Sequence, residues 1–145
     1  MNAIFRKSRF PFAVSMLTAA ALAVGAGTSI AADPKLVLSG TQEVPSVNTA
    51  ASGNGTITVG KDGSVSGSVT TSGISGISAH IHEAAAGKNG PVLIPLTKTS
   101  DAVWSVPAGA KLTDAQYKSY EAGMLYVNVH SDVYKGGEIR AQMKP

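Results

Sequence analysis

Apolar positions in this chain recur at every second residue, in short runs cut by glycine and proline. Thr56-Ile57-Thr58-Val59 alternates polar with apolar, and Val65 to Thr71 repeats the pattern on the way back. Lys61-Asp62-Gly63 lies between them and carries the Asp-Gly signal of a tight turn, so the pair is expected to form a hairpin. Lys35 to Ser39 reads as a first strand. Pro45 argues against its continuation as a central strand, because proline cannot donate to the ladder. Ala50 to Gly55 is small and reads as a loop, and Gly73 to Ile77 as a link. Further strands are expected at His80–His82, Val92–Ile94 with Leu96 after a break at Pro95, Val103–Val106, Met124–Val129 and Glu138–Met143. Loops are expected at Ala84–Pro91 and Ser131–Gly137. In the last strand Ile139, Ala141 and Met143 face one way, and Glu138, Arg140 and Gln142 the other.

One segment leaves the period of two. Thr113-Asp114-Ala115-Gln116 fits a capping box, with Thr113 as N-cap, and Gly123 suits the left-handed residue that ends a helix. Two to three turns are too few to persist alone, so Tyr117 and Tyr120 are expected to pack this helix on the sheet. Many short strands with Gly/Pro turns give an all-β fold: an antiparallel Greek-key β-sandwich or barrel, with one short helix before the penultimate strand.

The first residues have a different character. Arg6, Lys7 and Arg9 precede a run of apolar and small residues from Phe10 to Gly27. Ser29-Ile30-Ala31 then offers small side chains before a cut between Ala31 and Ala32. Residues 1–31 therefore have the pattern of a cleaved secretory signal, which leaves one domain over residues 32–145, periplasmic or secreted. No later run is apolar enough to span a bilayer. The net charge of +3 belongs to the leader: of the 12 basic residues three lie there, leaving nine against nine acidic ones. A neutral domain gives no basis for a nucleic-acid partner. About 114 residues suffice for one core. With no cysteine there is no disulfide, so burial of Val, Ile, Leu, Trp104 and the tyrosines must carry the stability.

The chemistry is concentrated in two strands. The chain has three histidines, and all fall in His80-Ile81-His82 or at the end of Asn128-Val129-His130. Period two puts His80 and His82 on one face and His130 with Asn128 on one face of its own strand. If the strands are neighbours, three imidazoles converge. Three neutral imidazoles suit Cu(II) or Zn(II), with ligand nitrogens about 2.0–2.1 Å from the ion, and copper heads the divalent affinity order. Asn128, Arg140, Glu43 and Glu83 are candidates to orient a ligand or to place charge beside such a site. The alternative for Arg140 is an ion pair with Glu43 or Glu83. Met124 and Met143 could offer thioethers, or fill the core. No catalytic residue is assigned, since a Ser-His-Asp arrangement would need a histidine outside the paired motifs.

Several motifs occur in a familiar order: Leu38-Ser-Gly-Thr-Gln-Glu-Val-Pro45, Ala79-His-Ile-His82, Asn89-Gly-Pro91, Ala122-Gly-Met-Leu-Tyr-Val-Asn-Val-His130 and Gly137-Glu-Ile-Arg140. Together they resemble the CHRD domain, named after chordin and common in exported bacterial proteins. The resemblance implies an extracytoplasmic β-sandwich module with no generally established enzymatic activity. His80-Ile81-His82 also resembles the segment that supplies two copper ligands in copper/zinc superoxide dismutases. Val129-His130 resembles the strand carrying a further ligand, and Arg140 the arginine that guides superoxide. The chain departs from that pattern in having no histidine between His82 and His130 and no disulfide, so a zinc site of that type is not implied.

Three readings follow: copper binding by His80, His82 and His130; a non-catalytic module binding a protein or polysaccharide, with structural histidines; and a copper-only dismutase-like enzyme. The first needs the imidazoles to converge, the second predicts dispersed histidines and an exposed apolar patch, and the third needs Arg140 to face the metal.

Overall fold

The computed structural model describes residues 34–145, so the leader expected over residues 1–31 lies outside the described residues. Among those described, nine strands and one α-helix follow in order, with a short 3-10 turn at Gly40–Gln42: β1 (Leu36–Ser39), β2 (Ser52–Val59), β3 (Val65–Ser72), β4 (Gly76–Glu83), β5 (Val92–Pro95), β6 (Thr97–Lys98), β7 (Val103–Ser105), α1 (Asp114–Glu121), β8 (Leu125–Ser131) and β9 (Ile139–Gln142). All pairings are antiparallel, in one sheet of order β5-β4-β8-β9-β1-β2-β3-β7-β6. The two edge strands are consecutive in the chain, joined at Leu96. The Leu96 amide donates to Ala79 O at 2.8 Å and Lys98 Nζ to Gly76 O at 3.1 Å, which brings the edges together into a nearly closed barrel. The all-β expectation holds, with its helix before the penultimate strand.

The hairpin forms as the alternation predicts, with every residue from Ser52 to Val59 paired to β3. Its first strand starts earlier than expected. Ser52 to Gly55, which reads as a loop, is strand, because a Cβ at Gly55 would run into the Ser68 carbonyl of the facing strand. Small residues here mark close backbone approach rather than a break. The capping box is complete: Gln116 N donates to Thr113 Oγ1 at 3.3 Å, and Thr113 N to Gln116 Oε1 at 2.9 Å. Gly123 takes the expected left-handed conformation, with φ 68°.

Apolar side chains from every side of the barrel meet inside it. Leu38, Val69, Ile81, Val127, Val129 and Ile139 are fully buried, with Trp104 and Met143 among them. Tyr120 joins this core and Tyr117 packs against it, which docks α1. Met143 fills the core, whereas Met124 is exposed. Each such Leu, Ile or Val contributes about 1.5–3 kcal/mol when fully buried, enough in number to stabilise a domain without a disulfide.

Candidate metal centre

The site is built on β4, β8 and β9, which are neighbours in that order. On β4 and β8, Ala79 faces Val129 and Ile81 faces Val127, both toward the core. The alternate residues point the other way, with His80 opposite Asn128 and His82 opposite Tyr126. On β9, Arg140 stands opposite Asn128 and Gln142 opposite Tyr126. An extra residue in β4, Ile77, shifts the register so that Ser78 faces His130 and His80 lies diagonal to it. Diagonal neighbours on a sheet are within reach of long side chains, and this pair uses that reach.

The three imidazoles converge. Each offers one ring nitrogen such that all three atoms lie within 4.8 Å of one another. His80 Nδ1 is 3.0 Å from His130 Nε2. The His82 ring centroid lies 5.5 Å from that of His80 and 6.2 Å from that of His130. Backbone carbonyls fix two of the tautomers. His82 Nδ1 is 3.0 Å from Gly90 O, and His130 Nδ1 is 2.9 Å from Lys135 O. A carbonyl only accepts, so both Nδ1 atoms carry protons and both Nε2 atoms present lone pairs to the cluster. An acceptor fixed behind a metal-binding histidine is the usual way its free nitrogen is aimed. At the centre, His80 Nδ1–H donates to His130 Nε2.

The histidine face is not open to water, although strand alternation alone would expose it. Loops 40–51, 84–91 and 131–138 cover it. His82 and His130 are each 8% exposed, Tyr126 and Asn128 2%, Arg140 1%, and His80 is half-buried. Glu138 ties one loop down, accepting from Thr49 Oγ1 at 2.7 Å and Ser131 Oγ at 2.5 Å. Asn89 Nδ2 joins the other two loops by donating to Val44 O at 2.7 Å.

A buried polar face should satisfy its own groups, since each orphan costs about 1–3 kcal/mol. This face does not. Four buried side-chain atoms among the described residues have no hydrogen-bond partner, and three of them belong to it: Glu43 Oε1, His82 Nε2 and Asn128 Oδ1. The fourth, Trp104 Nε1, is in the core. The Asn128 amide bears on both Glu43 and His82. Gly137 makes room for them: it has φ 126°, and a Cβ there would lie 2.5 Å from Glu43 Oε1 and 2.6 Å from Asn128 Nδ2. Burial pushes the Glu43 carboxyl up to about 7, partly offset by the Arg140 charge. Burial also pulls the His80 and His82 imidazoles below their ordinary value, with the neighbouring imidazoles adding to the effect. The direction of both shifts favours the neutral ring, the form that binds a metal.

The other candidates are placed as follows. Glu83 accepts from Ser119 Oγ at 2.5 Å and so ties β4 to α1. Arg140 lies behind Tyr126, its guanidinium carbon 3.4 Å from the ring centroid. It donates to Lys88 O at 2.8 Å and Gln142 Oε1 at 3.0 Å, with longer bonds of 3.4 Å to Ala85 O and Asn89 Oδ1. Its donors are thus engaged with loop 84–91 and Gln142. Gly90 and Lys135 act through carbonyls common to every residue, and the packing of Tyr126 on His82 leaves no mark in the strand pattern, so none of the three is signalled by the sequence.

A search among curated proteins and one among solved structures return no match. The family comparison matches residues 35–143 to the CHRD domain, nearly the whole described chain. With that match and the ordered motifs on its strands, the chain belongs to the CHRD-domain family.

Proposed function

We propose that this domain binds one transition-metal ion through His80, His82 and His130, and that the ion is copper. The observation that carries this is the convergence of three ring nitrogens within 4.8 Å of one another, with His82 buried and its Nδ1 bonded to Gly90 O. A neutral imidazole kept only for packing would not be held with its lone pair turned into a cluster of two others. An ion bound here would replace the proton between His80 Nδ1 and His130 Nε2, with that proton carried on His80 Nε2. Cis nitrogens about 2.0 Å from a tetragonal Cu(II) ion would lie about 2.8 Å apart. The 3.0 Å contact is close to that spacing, and His82 would close in from a set already within 4.8 Å. Three neutral imidazoles without a carboxylate or thiolate favour Cu(II) in the divalent order. Half-buried His80 marks the side by which the ion enters.

The role is copper handling outside the cytoplasm. The basic and apolar leader pattern and the family membership support that location, and no helix among the described residues is long and apolar enough to cross a membrane. Dismutase-like chemistry has no support from Arg140, whose guanidinium is engaged behind Tyr126.

The test is calorimetric titration of the protein with Cu(II), beside a His80→Ala/His82→Ala variant. One tight equivalent, absent in a variant of unchanged circular dichroism, is expected. Equal binding by both proteins, or none by either, would sink the proposal.

A further inference from the structure

The other buried groups on the histidine face form a second arrangement, which bears on how one ligand is held. Arg140 and His82 both pack on the Tyr126 ring. The guanidinium carbon sits 3.4 Å from the Tyr126 centroid, and the Tyr126 ring is parallel to the His82 ring within 4° at 4.8 Å. One loop touches all three residues. Ala85 O, Lys88 O and Asn89 Oδ1 accept from Arg140, Gly90 N donates to the Tyr126 hydroxyl at 3.3 Å, and Gly90 O accepts from His82 Nδ1. Gly90 therefore holds the tyrosine by its amide and the histidine by its carbonyl.

Burying a guanidinium almost completely is costly unless its donors are matched. Here they are matched by neutral carbonyls and amide oxygens. The guanidinium is planar, presents donors in a fixed fork and stacks flat on an aromatic face, whereas a lysine ammonium is a compact point charge with neither plane nor fork. A core side chain would fill the space behind Tyr126 at less cost. What it would not do is tie the ring to the same loop that fixes the histidine.

We propose that Arg140 and Tyr126 are positioning residues: they hold the His82 imidazole in one plane and one tautomer, and so aim its Nε2 at the metal. This rests on the metal reading above for its function, but the ring placement can be tested without a metal.

The decisive readout is the ring-nitrogen NMR spectrum of His82 in the metal-free, 15N-labelled protein. Wild type is expected to show a single Nδ1–H tautomer. Tyr126→Leu and Arg140→Lys are each expected to give averaged tautomers, with far-UV circular dichroism unchanged. Tyr126→Phe keeps the ring contact but loses the bond from Gly90 N, so a smaller shift in the same direction is expected. Cu(II) affinity is expected to fall about 10- to 100-fold in Tyr126→Leu and Arg140→Lys, with altered EPR hyperfine splitting, and by less in Tyr126→Phe. If Tyr126→Leu does not fold, Arg140→Lys decides alone. A wild-type His82 spectrum in a folded Tyr126→Leu or Arg140→Lys protein would overturn the proposal. If wild type binds no copper, the metal reading fails, and the nitrogen spectra still decide whether the stack positions His82.

Discussion

Strands β4, β8 and β9 bury both faces, and the two faces are buried by different means. Toward the barrel, Ala79, Ile81, Val127, Val129, Ile139 and Ala141 meet only other apolar groups. Away from it, His82, Tyr126, Asn128, His130 and Arg140 are also buried, but beneath three loops and through hydrogen bonds. These strands contribute no unsatisfied polar atom to the core; the orphan there, Trp104 Nε1, comes from β7. The second face leaves three buried polar atoms without partners, all beside or within the histidine cluster. Burial alone therefore does not identify a structural face. The inner face is a source of stability, and the outer one gives up some stability to keep lone pairs in place.

The largest effect should come from breaking the inner face. Ile81→Ala is expected to cost about 3–4 kcal/mol in urea unfolding, as for a fully buried residue whose cavity cannot collapse. The metal should not compensate specifically, since Ile81 points away from the histidines. The outer face should respond to metal instead. Copper at about 100 times its dissociation constant should raise unfolding free energy by about 2.7 kcal/mol in wild type. It should add the same increment to Ile81→Ala and none to His82→Ala. An increment that survives in His82→Ala would place the ion elsewhere.

Gly137→Ala should act on the outer face alone. Its φ of 126° is unsuited to a side chain, and the new Cβ would press on Glu43 and Asn128. A loss of about 2 kcal/mol is expected from denaturant curves, together with weaker copper binding.

The smallest effect is in pH. The Glu43 carboxyl has a folded-state value of about 7, above its ordinary 4.5. Its contribution is therefore complete below about pH 4.5 and is lost as pH rises to about 7. His80 and His82 act in the opposite sense. Their imidazoles sit below the ordinary 6.5, so their contribution is present above that pH and is lost as pH falls. Glu43→Gln should remove the first slope and leave the second. It should be more stable than wild type by about 1 kcal/mol at pH 8, a figure reduced for partial solvent screening. Parallel pH profiles for the two proteins would show that Glu43 is not the group responsible.

The same contrast decides what could be read from the sequence. The inner face was legible because alternation of Val, Ile and Leu states it directly, as in Thr56–Val59 and Ile139–Met143. His80-x-His82 and Asn128-x-His130 were legible for the same reason: period two places both pairs. The capping box at Thr113 and the Asp62-Gly63 turn carry local chemistry that needs no tertiary context. Coverage of the outer face was not legible, because it depends on three loops distant in sequence. Strand β2 begins in Ser52–Gly55, where small residues give the signal of a loop and the function of a close contact. Arg140 could be read as a charge near the site. Its place behind Tyr126 follows from carbonyls of loop 84–91, which leave no mark in side-chain pattern. The leader over residues 1–31 lies outside the described residues.

The most direct test of a three-histidine centre is X-ray absorption at the copper edge of the loaded protein, beside a His130→Ala control. Three imidazole nitrogens at about 2.0 Å, with the outer-shell scattering of histidine rings, are expected in wild type. One fewer is expected in the control. A copper shell of oxygen alone, or a histidine count unchanged by removing His130, would contradict the account.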